Sequence, residues 1–243
     1  GTYRVKVTAT NAIGSGSDSL DIRVMEGFGI SDIENWTGEG TNEAVLAIQW
    51  VSEDCADLLR PADDEVFFRA WGYRWPAGED AYGIDMIEAV VKNDPRLFVI
   101  LSEDGWGTAV KGFGYDGDGD GKIHIRNSGH TEAGRDPMSA LELTEADFTD
   151  GIYWQKYGES VEEFEVVSEG DWWAGGWYTA YLSYWVGSGE AVLEASEYSY
   201  SSLYASGRVL EHQSWDVWTF SPINYETEEN ILPIPRLLQA APR

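Results

Sequence analysis

The sequence predicts an α+β fold: a mostly antiparallel sheet with one main helix, preceded by two further antiparallel strands. Three observations carry this. Apolar and polar residues alternate with a period of two near the start, in "YRVKV" and "LDIRV". Short apolar runs follow, separated by Gly-, Pro- and Asp-rich turns. One stretch alone, "GIDMIEAVVKNDP", repeats its apolar residues at helical spacing.

Taken in order, "GTYRVKVTATNAIGSGSDSLDIRV" reads as two half-buried antiparallel strands around a Gly/Ser/Asn turn. Tyr3, Val5 and Val7 share one face, and Leu20, Ile22 and Val24 answer them. "AVLAIQWV" (44–51) is a nearly continuous apolar run, the pattern of a strand covered on both faces. "VFFRAWGYRW" (66–75) puts Trp71, Tyr73 and Trp75 on one face and Phe68, Ala70 and Gly72 on the other. In the helix, Ile84, Ile87, Val90 and Val91 line one side. Asp85 sits in the first turn, where the dipole favours it, and Asp94–Pro95 ends it. "RLFVIL" (96–101), "TAVKGFGY" (108–115), "FEVV" (164–167) and "WDVWTF" (215–220) read as further strands. The chain thus divides into 1–25, a pair of strands; 26–225, an α+β domain with an acidic insertion at about 117–170; and 226–243, a tail whose prolines suggest a linker or processed end.

Composition narrows the partners. Sixteen Lys+Arg against 43 Asp+Glu give a net charge of −27, which repels nucleic-acid phosphates and anionic lipid. No apolar run is long enough to cross a membrane. The single cysteine, Cys55, gives no disulfide framework and no thiolate zinc site, and its acidic surroundings make it inert. Catalytic signatures are absent: no H-E-x-x-H, G-x-S-x-G, Walker loop or dinucleotide fingerprint occurs. A glycosidase pair has no fixed spacing, so the many carboxylates carry no weight for one. The histidines are scattered, with His124 and His130 both in the insertion.

Two resemblances add to this reading. "Y-x-V-x-V-x-A-x-N" followed by a Gly/Ser turn resembles the last two strands of the Ig-like and cadherin-like repeats of bacterial surface proteins. That implies an Ig-like β-sandwich ending near residue 25. It also implies that the chain is the C-terminal part of a longer, exported, cell-surface protein with sister domains as partners. The order "WGYRW", "GIDMIEAV", "VKGFGYD", "YLSYWVGSGE", "LYASGRVLEHQSWDVW" is similar to the β-grasp-related family that includes the C-terminal domain of transcobalamin. That resemblance implies a non-enzymatic module binding a small ligand, a corrinoid such as cobalamin. Tyr181, Tyr184 and Trp185, the turn Gly187–Gly189, and Trp215 and Trp218 are the positions it would use. The long insertion departs from the family pattern and puts the ligand in doubt.

Two features stand on the residues themselves. "YDGDGDGKIHIRN" carries Asp116, Asp118 and Asp120 at alternate positions, then Gly121: the first half of an EF-hand-type calcium loop. The Lys122 carbonyl is the next expected ligand, and Ile123 the apolar anchor. The twelfth position, where a Glu belongs, is Asn127, so a late ligand from elsewhere is needed, with Glu132 and Asp136 as candidates. A structural Ca2+ is therefore expected, against the alternative of a solvated acidic turn. The second feature is "DWWAGGWYTAYLSYWVGSG" (171–189). Trp177, Thr179, Tyr181, Ser183 and Trp185 form a face of large aromatics and small hydroxyls that suits a wet or ligand-facing surface. Tyr178, Ala180, Leu182, Tyr184 and Val186 suit packing on a helix. Trp172 and Trp173 are read in a turn, where exposed aromatics bind partners. The alternative for the run is that both its faces are covered and it is merely core, as large aromatics mostly are. The readings left open are capture of a corrinoid or a glycan through these rings, and a structural or adhesive calcium-stiffened module with no small ligand.

Overall fold

The computed structural model describes residues 2–10, 12–23, 27–52, 54–55, 57, 60–129, 137–160, 164–176, 180–192, 194–222 and 231–243. The first two strands are β1 (Thr2–Thr10) and β2 (Ser15–Arg23), followed by β3 (Phe28–Gly29), β4 (Trp36–Gly38), β5 (Asn42–Val51) and β6 (Val66–Trp75). The helix α1 (Gly83–Asn93) leads to β7 (Leu97–Asp104) and β8 (Gly107–Tyr115). Short strands follow: β9 (His124–Arg126), β10 (Glu142–Thr144), β11 (Ile152–Trp154), β12 (Glu165–Val166) and β13 (Trp172–Gly175). The chain closes with β14 (Ala180–Ser188), β15 (Ala191–Val192), β16 (Ser199–Tyr200), β17 (Ser214–Pro222) and β18 (Gln239–Ala240).

Strands hold 47% of the described residues and helices 14%, so the fold is β-rich with a single α-helix among those residues rather than α+β. Nor are its sheets only antiparallel. The seven-stranded sheet runs β16–β14–β17–β5–β6–β18, with β4 also on β6. In it β17 pairs with β5 in parallel, as β4 and β18 do with β6. A four-stranded sheet, β11–β7–β8–β13, contains the parallel pair β11–β7. Parallel partners lie far apart in sequence, which is why local alternation could not announce them.

The sheets stack in layers. Leu46, Ile48 and Trp50 of β5, Trp71 and Trp75 of β6, and Trp218 of β17 face α1 and the four-stranded sheet. Met86, Ile87, Val90 and Val91 of α1 fill that core with Leu97, Val99, Leu101 and Phe113. The opposite face, with Val45, Ala47, Phe68, Trp215 and Val217, is covered by Ile30, Ile33, Val192, Tyr198 and Leu238. So β5 is buried on both sides, as its continuous apolar run requires. Trp36 lies over Gly72, where any Cβ would meet its ring at 2.2 Å. The far face of the four-stranded sheet, Phe98 and Ile100, packs against a three-stranded sheet β10–β9–β12 through Ile123, Ile125 and Leu143. That small sheet is what the acidic insertion builds.

Helix α1 begins where expected: Asp85 accepts the Tyr82 N–H (2.8 Å) at the first turn. At its other end Asp94 does more than stop it. Its buried carboxylate accepts the Trp71 indole N–H (2.8 Å) and pairs with Arg96 (2.9 Å).

Two expectations about the chain ends are corrected. The hairpin β1–β2 forms with the expected register, Val5 opposite Leu20, but Val5 and Val7 are exposed rather than half-buried. The tail is not linker-like: Gln239 and Ala240 add to β6, Leu238 and Ala241 are buried, and the Ile234 N–H donates to Gln49 (2.9 Å). Pro235 fits because it opens the turn 235–237, where a first-position N–H has no partner to lose.

Candidate metal centre and the aromatic strands

β8 and β13 pair antiparallel, and their last matched residues are Tyr115 and Trp172. The next residue beyond the ladder on each side is an aspartate, Asp116 and Asp171. Register therefore brings together two carboxylates 55 positions apart (171 − 116). Asp118 completes the group: one ligand-type oxygen from each of Asp116, Asp118 and Asp171 lies within 4.8 Å of the others. Asp116 is buried, Asp171 half-buried and Asp118 exposed, so the cluster is open on one side.

The loop is shaped by its own carboxylates. Asp116 accepts the N–H groups of Gly119 (2.6 Å) and Gly121 (2.8 Å), one on each oxygen. Gly119 and Gly121 have φ of +79° and +80°, the left-handed region that lets so short a loop close. Asp171 accepts the Gly117 N–H (3.1 Å) and the Ser168 hydroxyl. The two backbones approach so closely that a Cβ on Gly117 would lie 2.2 Å from the Gly170 carbonyl oxygen. Ile123 is fully buried and anchors the loop as expected. Burial pushes the Asp171 carboxyl above its usual range; the bonds from Ser168 and Gly117 oppose this, and the charges of Asp116 and Asp118 add to it. Each carboxylate oxygen retains a second lone pair, and three converging hard oxygens suit a calcium ion completed by water or carbonyls.

The expected ligand set changes accordingly. Asp120 is not in the cluster, because Lys122 draws its carboxylate into an exposed ion pair (2.8 Å). The Lys122 N–H also donates to Asp120 (2.9 Å). Asn127 is a turn staple: its amide donates to the Ser160 carbonyl (2.9 Å), and its oxygen accepts from Gly129 and Leu141. The carboxylate that joins Asp116 and Asp118 from elsewhere in the chain is Asp171, which sequence reading passed over because nothing local marks it. Glu132, Asp136 and His130 lie outside the described residues. His124 pairs with Glu142 (2.7 Å). Cys55 is buried and its thiol donates to Glu65 (3.4 Å), and desolvation pushes that thiol up, away from reactivity.

The aromatic residues expected to meet a ligand are mostly core. Trp172 and Trp173 are not in a turn but in β13. Trp172 is half-buried and stacked on Phe67 (5.2 Å between centroids, 8° between planes). Trp173 is 7% exposed, edge-on to Phe164, with its ring over β8. A Cβ at Gly112 would touch that ring at 2.3 Å, which accounts for the alternating glycines of "VKGFGY". Tyr184 stacks on Trp218 (4.2 Å, 3°) beneath α1, the helix-facing role expected for its face of the strand. The opposite face is not wet: Ser183 is fully buried, and Trp185 is buried with its indole N–H on Ser183 (2.9 Å) and Thr219 (3.1 Å). Trp215 is fully buried, its N–H on the Gly189 carbonyl (2.8 Å). The small hydroxyls are there to satisfy indoles in a core, not water. Trp177 and the side chain of Tyr181 lie outside the described residues.

One buried ionic group sits under the start of α1. Asp216 accepts the Tyr184 hydroxyl and faces Arg208 (3.6 Å), and it lies 3.0 Å from where a Cβ on Gly83 would stand. Desolvation pushes its carboxyl up to about 6, opposed by Tyr184 and Arg208.

No family model matches the chain, and no curated protein or solved structure is significantly similar to it. The Ig-like and transcobalamin-like resemblances therefore rest on the residues that suggested them.

Proposed function

We propose that the chain is a non-enzymatic structural module of an exported surface protein, stiffened by calcium at Asp116, Asp118 and Asp171. The observation that carries this is the meeting of those carboxylates at the seam of β8 and β13. An ion there would clip the two ends of the insertion, closing a loop of about 55 residues that otherwise adds conformational freedom. The loop lacks the flanking helices and the terminal Glu of an EF-hand, so affinity belongs in the weak class suited to extracellular calcium, roughly 10⁻⁴–10⁻³ M. The net charge of −27 favours cations and repels polyanions. The absence of catalytic motifs from the sequence supports the non-enzymatic reading. Capture of a corrinoid by the aromatic strand loses its support, because Tyr184, Trp185, Trp215 and Trp218 are committed to the core.

Thermal unfolding in calcium and in EDTA tests this. The melting temperature is expected to rise with calcium and not with magnesium. Asp171→Asn, which keeps the contact with Gly117 but removes the charge, is expected to abolish the rise while leaving the EDTA value unchanged or higher. Identical melting of the wild type in calcium and EDTA would sink the site. Among the described residues no helix is long and apolar enough to cross a membrane.

A further inference from the structure

We infer that the end of the four-stranded sheet opposite the acidic cluster is a stacking platform for a neutral, linear polysaccharide. This site is separate from the calcium cluster and does not rest on it.

Trp106, at the tip of the β7–β8 hairpin, is 89% exposed. Its backbone is nevertheless held in place. The Trp106 backbone N–H donates to Asp104 (2.8 Å), and the other Asp104 oxygen accepts the Tyr204 hydroxyl (3.1 Å). The Thr108 N–H donates to Ser206 (3.0 Å), binding the hairpin to the 204–207 turn. Tyr204 is itself exposed, and its ring lies 3.7 Å from where a Cβ on Gly107 would stand. β11 runs parallel to β7, with Trp154 opposite Leu101 and the Gln155 N–H on the Leu101 carbonyl (2.8 Å). The chain beyond it therefore advances toward the same end of the sheet, carrying Trp154 (43% exposed) and Tyr157 (fully exposed).

Trp106 and Tyr204 thus share Asp104 at the hairpin tip, and β11 runs toward that end of the sheet with Trp154 and Tyr157, while most aromatics of the aromatic-rich strands are buried. Trp and Tyr offer a flat apolar face with a polar rim, which matches the C–H face and hydroxyl rim of a pyranose. Asp104, which joins Trp106 to Tyr204, and Ser206 beside them put polar groups next to the rings that can bond sugar hydroxyls. A ring projecting from a hairpin tip holds one sugar on one side only. Useful affinity then requires several rings to engage successive sugars of one chain. The charge of −27 turns away uronate or sulfated polymers, leaving neutral ones.

The test is affinity electrophoresis through gels containing hydroxyethylcellulose, xyloglucan, galactomannan or laminarin, with heparin and polygalacturonate as polyanions, plus sedimentation with cellulose and chitin. Retention by at least one neutral polymer is expected, and none by the polyanions. Trp106→Ala is expected to weaken retention about tenfold, and Trp106→Phe to restore part of it, both with wild-type melting temperature. Binding is expected to persist in EDTA, so loss of the calcium site and loss of this one are told apart. The inference is overturned if no neutral polymer is retained, if a polyanion is preferred, or if Trp106→Ala binds as the wild type does.

Discussion

β8 has two unlike ends. Trp106 and Gly107 open it at a tip where aromatic rings face water. Tyr115 and Asp116 close it at a seam where carboxylates turn toward one another. Nine extended residues, about 30 Å at roughly 3.4 Å each, separate the two. The aromatic end is exposed apolar surface fixed by hydrogen bonds. The acidic end is like charge gathered together, with the nearby Arg96 and Lys122 drawn into direct ion pairs with Asp94 and Asp120 instead. Each runs against the usual partition of residues, and they do so in opposite senses. The middle of the strand, under Trp173, is ordinary core. The exceptions sit at the poles, where a ligand has access, and the regular part holds them apart.

The largest effect is expected from the middle. Trp173→Ala removes the ring that lies over Gly112 and faces Phe164, and should cost about 3–5 kcal/mol in denaturant unfolding. A loss below about 1 kcal/mol would mean that β13 is not held by this ring. Calcium stabilisation should fall with it, because the same strand carries Asp171 into place.

A pH series should split the two ends. Asp216, beneath the 205–209 segment that supports Tyr204, has its carboxyl pushed up to about 6 from 3.8 by burial. Its folded-state value lies above the unfolded one, so its contribution is complete below about pH 4 and lost as pH rises through 6. In EDTA the protein should therefore gain stability as pH falls from 7 to 5, on the order of 1 kcal/mol from this group, with the rest appearing between pH 5 and 4. Asp171, also pushed up by burial, acts in the same direction. Calcium reverses the trend at the acidic end, since protons compete for the same oxygens: the calcium increment should shrink over that range. Asp216→Asn should flatten the EDTA profile while leaving calcium binding intact. A profile unchanged by that substitution would remove Asp216 as its source.

The smallest effect concerns coupling. Asp118→Asn and Trp106→Ala, both at exposed side chains, should each change stability in EDTA by no more than about 0.5 kcal/mol, and their double variant should be additive within about 0.5 kcal/mol. A larger coupling energy would show that β8 transmits strain between its ends.

Much of the framework could be read from the chain. The unbroken run of β5, the alternation of β6 and the cap, face and stop of α1 are local patterns, and the structure follows them. What local pattern cannot carry is pairing between distant segments, and this hid the parallel joins of β5 with β17 and of β6 with the tail. The same limit hid Asp171, which becomes a partner of Asp116 only through the β8–β13 register. The aromatic strand misled for another reason. Alternating large rings and small hydroxyls look identical whether the hydroxyls meet water or, like Ser183 and Thr219, receive a buried indole N–H. Trp106 was within reach: a tryptophan between glycines, "DGWG", next to an aspartate is a turn tip, and turn tips are exposed.

The seven-stranded sheet ends in scraps on both sides. One margin is the two residues of β16; the other is β4 and β18, three residues and two, laid along β6 from distant parts of the chain. A β-rich protein with a dozen tryptophans would otherwise present long unpaired borders, the template on which one copy recruits the next into fibres. At Trp185 and Val186 of β14 and along β6 the border is interrupted after two or three hydrogen-bonding positions, which hinders sheet growth there. Copies crowded side by side can then stay separate bodies.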